Sequence, residues 1–465
     1  VATPLQPGPK VVLISTYELG RQPFGLASPA AWLRHAGGVV TCVDVALQRL
    51  DEEAIRAADL VAFYVPMHTA TRLASALVPR VKALNPDAYL CFYGLYAPVN
   101  EGYLRRLGAD TILGGEFEAG LVSLMRRVHS DRNATRSDSQ VEPMISLDRQ
   151  KFLVPDRSGL VALSRYASLT LPDGRRRTVG YTEASRGCKH LCRHCPVVPV
   201  YGGQFRIVQR DVVLEDIRQQ VAAGAEHITF GDPDFFNGVG HAVALVRALH
   251  EAHPRVTYDV TVKIEHLLRH AEHLPVLRDT GCLFVISAVE SLDDRVLALL
   301  DKGHTRKDFE EVVRLFRSVG LVLCPTFVAF TPWISLEGYQ ELLATLAELD
   351  LIEHVAPIQL AIRLLIPAGS RLLELPEVRD LVEGFDEVLL SYRWRHPDPR
   401  VDQLQEEVQA LVKLEEARGA SRREIFGKAW LLAEQATGER RRPLLQRPRG
   451  PARTLIPIMS EPWYC

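Results

Sequence analysis

The sequence predicts an α/β protein in three parts: a small doubly wound parallel sheet, a partial (β/α)6 barrel, and a mostly helical C-terminal cap. Three observations carry that reading. Short apolar runs alternate with helical stretches from about residue 10 to 130, the alternation resumes with longer helices from Val179 to about Gly369, and it stops there. The boundaries drawn from them are 1–130 for the doubly wound domain, 131–178 for a linker and extended segment, 179–370 for the barrel and 371–465 for the cap and tail.

In the first run, residues 11–15, 39–45, 60–65, 89–93 and 111–113 are short and apolar enough for buried parallel strands. Residues 29–38 form a helix closed by glycine, and residues 70–84 form another. The polar, turn-prone stretch 130–142 is the expected linker, and residues 151–178 read as extended chain with a hairpin at Asp173-Gly174. Six strand candidates follow, at 181–185, 227–230, 257–262, 282–287, 322–330 and 355–365, separated by helices at 214–223, 240–252, 292–300, 306–318 and 336–349. In barrels of parallel strands the chemistry gathers at the C-terminal strand ends, where loops vary while the sheet carries the fold. Residues 371–436 are mostly helical in pattern with a break at 395–400, and 438–452 are basic, proline-rich loop.

With 465 residues, 47% of them hydrophobic, 24% charged and a formal net charge of −2, the chain suits a soluble globular protein and shows no nucleic-acid footprint. No apolar run reaches the length of a membrane span, and the first ten residues lack the basic and apolar regions of a signal peptide, so a cytoplasmic location is expected. Eight cysteines are too few for a disulfide framework. Cys42, Cys91, Cys282 and Cys324 lie in apolar strand runs and read as small core residues.

The other cysteines behave differently. Cys188-Lys-His-Leu-Cys192-Arg-His-Cys195 places three thiols on one loop after the first barrel strand, a spacing that suits a soft metal centre. A closed site wants four ligands, and no fourth cysteine or obvious histidine pair follows nearby. A [4Fe–4S] cluster held by three cysteines leaves one iron open to a small molecule. The other readings are a zinc knuckle completed by His190 or His194, or three thiols of a core.

This loop resembles the Cys-x3-Cys-x2-Cys signature of the radical S-adenosylmethionine (SAM) enzymes, with His194 where that superfamily usually has an aromatic residue. The resemblance implies that Cys188, Cys192 and Cys195 hold the cluster and that SAM binds the open iron through its amino and carboxylate groups. It implies a carbon radical made by reductive cleavage of SAM, an electron donor such as flavodoxin or ferredoxin, and a small-molecule substrate. The doubly wound domain ahead of the loop is similar to the cobalamin-binding domain of many relatives. Ser15-Thr-Tyr-Glu-Leu-Gly-Arg-Gln22, however, has no histidine to ligate cobalt, while Gly114-Gly115 matches a glycine pair of that fold. Two other functions stay open, a cobalamin-dependent radical SAM methyltransferase and a non-catalytic iron–sulfur or metal-binding module.

Other strand ends carry further resemblances. Gly231-Asp232-Pro233 stands where relatives have a Gly-Gly-Glu-like loop for the amino group of SAM, and Ser287 and Glu290 match a pair that binds its ribose and carboxylate. Lys263 closes the third strand, Lys302 and the residues to Arg306 lie within reach, and Arg363 interrupts an apolar run where adenine is commonly flanked, implying an anionic ligand or a carboxylate. Residues 188–203, 230–237, 264–266, 287–291, 325–327, 331–333 and 359–370 resemble the radical SAM subgroup ending in a Cys-Cys-Ala-Glu-Pro or Cys-selenocysteine-Ala-Glu-Pro tail. That subgroup makes Cys465 a candidate catalytic thiol, anchored by Trp463 and Tyr464, and implies a natural chain that continues beyond it. Relatives acting on arsenic and selenium compounds suggest a metalloid or thiol substrate.

Overall fold

The computed structural model describes residues 8–130, 141–439 and 456–460. Most of the expected linker at 130–142, and the tail with Cys465, lie outside the described residues. Strands β1 (Lys10–Ser15), β2 (Val39–Asp44), β3 (Leu60–Tyr64), β4 (Tyr89–Tyr93) and β5 (Thr111–Gly115) form a parallel sheet in the order β2-β1-β3-β4-β5. A short β6 (Ile145–Ser146) extends it beyond β5. The strands are apolar on both faces because helices cover both. Val11 and Leu13 face helices Phe24–His35 and Glu118–Ser130, while Val12 and Ile14 face helices Glu52–Arg56, His68–Leu84 and Glu101–Arg106.

A hairpin of β7 (Ser168–Thr170) and β8 (Arg176–Thr182) turns through Gly174 and opens the second sheet. The short pair β9 (Ser185–Gly187) and β10 (Phe205–Ile207) then brackets the cysteine loop. Strands β11 (His227–Phe230), β12 (Thr257–Thr261), β13 (Cys282–Glu290) and β14 (Val322–Phe327) follow β8 in parallel, so every βα crossover leaves from the same end. Helices Arg210–Ala222, Val239–Ala252, Arg306–Val319 and Leu336–Glu348 pack outside this curved sheet.

Three expectations need correction in detail. The first barrel strand covers 176–182 rather than 181–185, because the side chain of Asp232 takes the backbone N–H of Ala184 and turns the chain out of the sheet. The sixth strand, expected at 355–365, is one 3-10 turn, Pro357–Leu360, and one parallel bridge between Phe330 and Arg363. Pro357 removes a ladder donor there, and the Gln359 side chain accepts the edge N–H of Phe327 at 2.9 Å in place of a neighbouring strand. Residues before the break at 395–400 are not mainly helical: they hold an antiparallel hairpin of β15 (Val382–Asp386) and β16 (Ser391–Trp394), with Phe385 and Tyr392 paired across it.

The cap proper is the helix pair Pro399–Ala417 and Arg422–Thr437, whose Leu404, Val408, Ile425, Phe426 and Trp430 join the barrel core. A last strand, β17 (Ile458–Met459), pairs with β7.

Candidate iron–sulfur and SAM site

Each end of the cysteine loop is tied to a different element. At its start, the buried carboxylate of Asp232 accepts from Ala184 N at 2.9 Å and from Ser185 Oγ at 2.6 Å. Burial pushes that carboxyl up to about 7, although both hydrogen bonds oppose the shift. Gly187 has φ +76°, and a Cβ there would stand 2.3 Å from the Tyr201 ring, so only glycine enters the loop this way. Asn237 accepts from Lys189 N at 3.3 Å and lies 3.9 Å from Cys188 Sγ. Further on, Arg193 donates from its backbone to Leu300 O at 2.9 Å and from its guanidinium to Ala298 O and Leu299 O, neutralising the C-terminus of helix Asp294–Leu299.

None of the three loop cysteines is in a disulfide; Cys192 is buried, Cys188 and Cys195 half-buried. Burial, then the neighbouring Cys192 and Cys188, push the Cys195 thiol up to about 12. Thiolates that close together in an apolar setting need a cationic centre, and Lys302, near enough to Cys192 and Cys195 to be biased by both, supplies only one charge. The donor set fits an iron–sulfur cluster.

Beside the thiols stands a buried triad. Glu290 Oε1 lies 3.1 Å from His194 Nε2 and 3.3 Å from Lys302 Nζ. Burial alone would raise the Glu290 carboxyl; the Lys302 charge and the His194 contact outweigh it and hold it at about 2. Glu290 also has φ +69°, a backbone strain that a surrounding site must hold in place. Among the described residues, His194 Nδ1, Ser287 Oγ and both nitrogens of His304 are buried without a hydrogen-bond partner. Burial, then Lys302 and Lys263, hold His304 down at about 4, so it is neutral. Such atoms at the C-terminal strand ends fit a polar ligand like SAM, since leaving each unsatisfied costs about 1–3 kcal/mol.

A second network joins Lys263 and His190, both candidates in the sequence, to Asp234 and His266, which were not. Lys263 Nζ lies 3.1 Å from His190 Nδ1 and 3.3 Å from Glu265. Asp234 Oδ2 lies 2.6 Å from His266 Nδ1 and 3.5 Å from His190 Nε2, at angles outside those of a regular hydrogen bond. Cys188, His190 and Asp234 bring ligand atoms within 4.8 Å of one another. For Asp234 and His266, positions just after the second and third strands were the available signal.

Of the other expected residues, three have structural partners of their own. A Cβ on Gly231 would stand 1.9 Å from Tyr181 Oη, so this glycine is set by packing. Asp232 holds the loop as described, beside an exposed Pro233. Arg363 meets a carboxylate and not a ligand: it pairs with Asp402 at 2.6 Å, donates to Trp394 O at 2.7 Å and stacks 3.5 Å over the Trp394 ring.

A partial parallel barrel carrying three free thiols and a buried polar mouth, behind a doubly wound domain, is a setting that fits an iron–sulfur cluster and a polar ligand. Residues 182–346 match the radical SAM superfamily, so this stretch carries a radical SAM domain, which implies a [4Fe–4S] cluster and SAM. Among curated relatives, hopanoid C-3 methylase of Methylococcus capsulatus is 24% identical over 343 residues, 70% of this chain and 64% of that relative. This chain thus spans less than two thirds of that protein. The tRNA-2-methylthio-N(6)-dimethylallyladenosine synthase of a Sulfurihydrogenibium species is 22% identical over 365 residues, covering 72% of this chain and 76% of the relative. The cobalamin-dependent S-adenosylmethionine radical enzyme OxsB, solved with aqua-cobalamin, superposes with a TM-score of 0.67 over 92% of this chain and 72% of its own at 13% identity. The radical SAM methyltransferase TsrM of Kitasatospora setae, solved with cobalamin and a [4Fe–4S] cluster, gives 0.58 over 74% and 73% at 17% identity. Among the described residues no helix is long and apolar enough to cross a membrane.

Proposed function

We propose that this protein reductively cleaves SAM to make a carbon radical that acts on a small thiol, selenium or arsenic compound. The observation that carries the reading is the junction of three unpaired thiols with the Lys302–Glu290–His194 triad at one end of the barrel. A [4Fe–4S] cluster on Cys188, Cys192 and Cys195 supplies, when bound, one electron to the sulfonium of SAM and so breaks a carbon–sulfur bond. The loop residues hold the three thiols in one orientation, and Lys302 lowers the cost of their charge. Ser287, His194 and His304 offer hydrogen bonds to the polar parts of SAM, and Lys263 offers a cation to a carboxylate. A flavodoxin or ferredoxin is the proposed electron donor, and the tail thiol of Cys465 a proposed participant near SAM.

Anaerobically reconstituted protein should hold four irons, and SAM should perturb the cluster spectrum. Incubation with reductant and SAM, read by mass spectrometry, should release cleavage fragments. Replacing Cys188, Cys192 and Cys195 together by alanine should abolish all three. Stoichiometric zinc with no iron uptake would falsify the assignment, and a bound cluster without SAM cleavage would leave only an iron–sulfur module. A cobalamin-dependent methyltransferase is the second reading, supported by the likeness in fold to OxsB and TsrM, each solved with cobalamin.

A further inference from the structure

We infer that the N-terminal domain of this protein is a clamp on the cysteine loop and not a corrinoid carrier, because its own side chains, joined by Tyr181 of the barrel, fill the crevice where such a domain holds its ligand. The corrinoid half does not need SAM cleavage, while the clamp half rests on the cluster and SAM site of the proposed function. In open α/β sheets the ligand crevice lies outside the carboxyl ends of the strands, where the strand order reverses. Here the order β2-β1-β3 places that point between the ends of β1 and β3.

What stands there is protein. After β1, Glu18, Arg21 and Gln22 are only 7%, 8% and 5% exposed. At the end of β3, the Tyr64 ring packs on Tyr93 and Phe117 at 5.3 and 6.1 Å, and so close to Gly25 that a Cβ there would stand 2.1 Å from it. From the barrel side, the Tyr181 ring meets the Arg21 guanidinium at 5.2 Å and the edge of Phe24 at 6.2 Å. Burial raises the Glu18 carboxyl first, and Glu183 of the barrel raises it further, so these two carboxyls share the crevice. The glycine pair that matched a nucleotide-tail site is also covered. A Cβ on Gly114 would stand 2.2 Å from the Pro98 ring, and one on Gly115 2.2 Å from Ser146 O.

The same surfaces grip the cysteine loop. Leu95, Val99, Ile145 and Leu147 pack on the same cluster of Val197, Val200 and Tyr201 that Cys188 and Cys195 pack on, so the first sheet's side and the thiols share one apolar cluster. Two residues before Cys188, the buried Arg186 pairs with Glu118 and Glu183 at 2.7 Å each and with Glu116 at 3.3 Å. The rings of Phe24, Phe117 and Phe152 surround its guanidinium at 5.0–5.6 Å. Ser28 donates to Glu118 at 2.6 Å and the Tyr201 hydroxyl to Glu116 at 3.2 Å. A planar fork held by carboxylates from both domains fixes the direction in which the chain enters the loop. Arg186 is therefore a positioning residue.

Two measurements on the full-length, cluster-reconstituted protein test this. Anaerobic incubation with hydroxocobalamin and with cob(II)alamin, followed by gel filtration, should leave no cobalt with the protein above a control without protein. Cobalt co-eluting in stoichiometric amount, with a protein-induced change in the corrinoid spectrum, would overturn the inference. Glu118→Gln and Arg186→Lys, which keep the size of the network and weaken its geometry, should retain the circular dichroism of the parent. Both should change the paramagnetic spectrum of the reduced cluster and weaken its response to SAM several-fold. Identical spectra and SAM response in both variants would mean that the network does not position the loop. SAM cleavage without bound cobalt would leave the proposed function intact whichever way the clamp variants behave.

Discussion

The Lys302–Glu290 pair gives a sharp test, because its strength follows from distance and burial. At 3.3 Å, with an effective dielectric of about 20, the two charges attract by about 5 kcal/mol, much of it offset by desolvation. Lys302→Met removes the cation and leaves Glu290 buried with only His194 beside it. Breaking such a pair from one side costs about 3–5 kcal/mol. Glu290→Gln leaves Lys302 uncompensated and should cost a similar amount, whereas Lys302→Met with Glu290→Gln should recover a large part of the sum. Urea unfolding of the four cluster-free proteins measures the cycle. The pH dependence follows from the depressed Glu290 carboxyl: its contribution is complete above the ordinary carboxylate value of about 4.3 and is lost as pH falls through about 2. Lys302→Met should therefore lose more stability at neutral pH than at pH 2. Because Lys302 also stands near Cys192 and Cys195, the reconstituted variant should have a more negative cluster potential. Additive single effects, or a loss that does not change with pH, would refute a coupled buried pair.

Two further substitutions separate structural from ligand roles. Asp232 has its carboxyl raised to about 7, so the stability it lends is complete below about 4 and lost as pH rises through 7. Asp232→Asn should remove that slope, and a thermal-unfolding difference between the two proteins that is flat from pH 4 to 8 would contradict it. Arg363→Met should destabilise the cap by about 1–2 kcal/mol, through loss of the half-exposed Asp402 pair and the stacking on Trp394, while leaving SAM binding unchanged. A large drop in SAM affinity would return Arg363 to the ligand site.

Local patterns were the most legible part of this protein. The spacing of Cys188, Cys192 and Cys195 is a property of eight consecutive residues, and β4 runs over the 89–93 read from its apolar run alone. Ser287 and Glu290 end a strand whose apolar run points to the same end of the barrel as the cysteines, so their placement followed from topology. The apolar run at 355–365 misled because burial, not pairing, made it apolar, and Gln359 satisfies the edge of β14 from its side chain. Arg186 lies two residues before the cysteine loop, yet its partners Glu116 and Glu118 lie 70 and 68 residues upstream, so nothing nearby marks it as a bridge between domains. Arg363 was read as interrupting a core, and only the cap helix bringing Asp402 beside it decides its partner. The fold class, the candidate thiol loop and the end of the barrel at which it lies were legible in the residues alone, because thiol spacing and strand–helix alternation are set within a few residues. The tertiary structure alone decided which carboxylates face which cations and what fills the crevice of the first domain, because a buried charge takes its partner from whatever packing brings within about 3 Å.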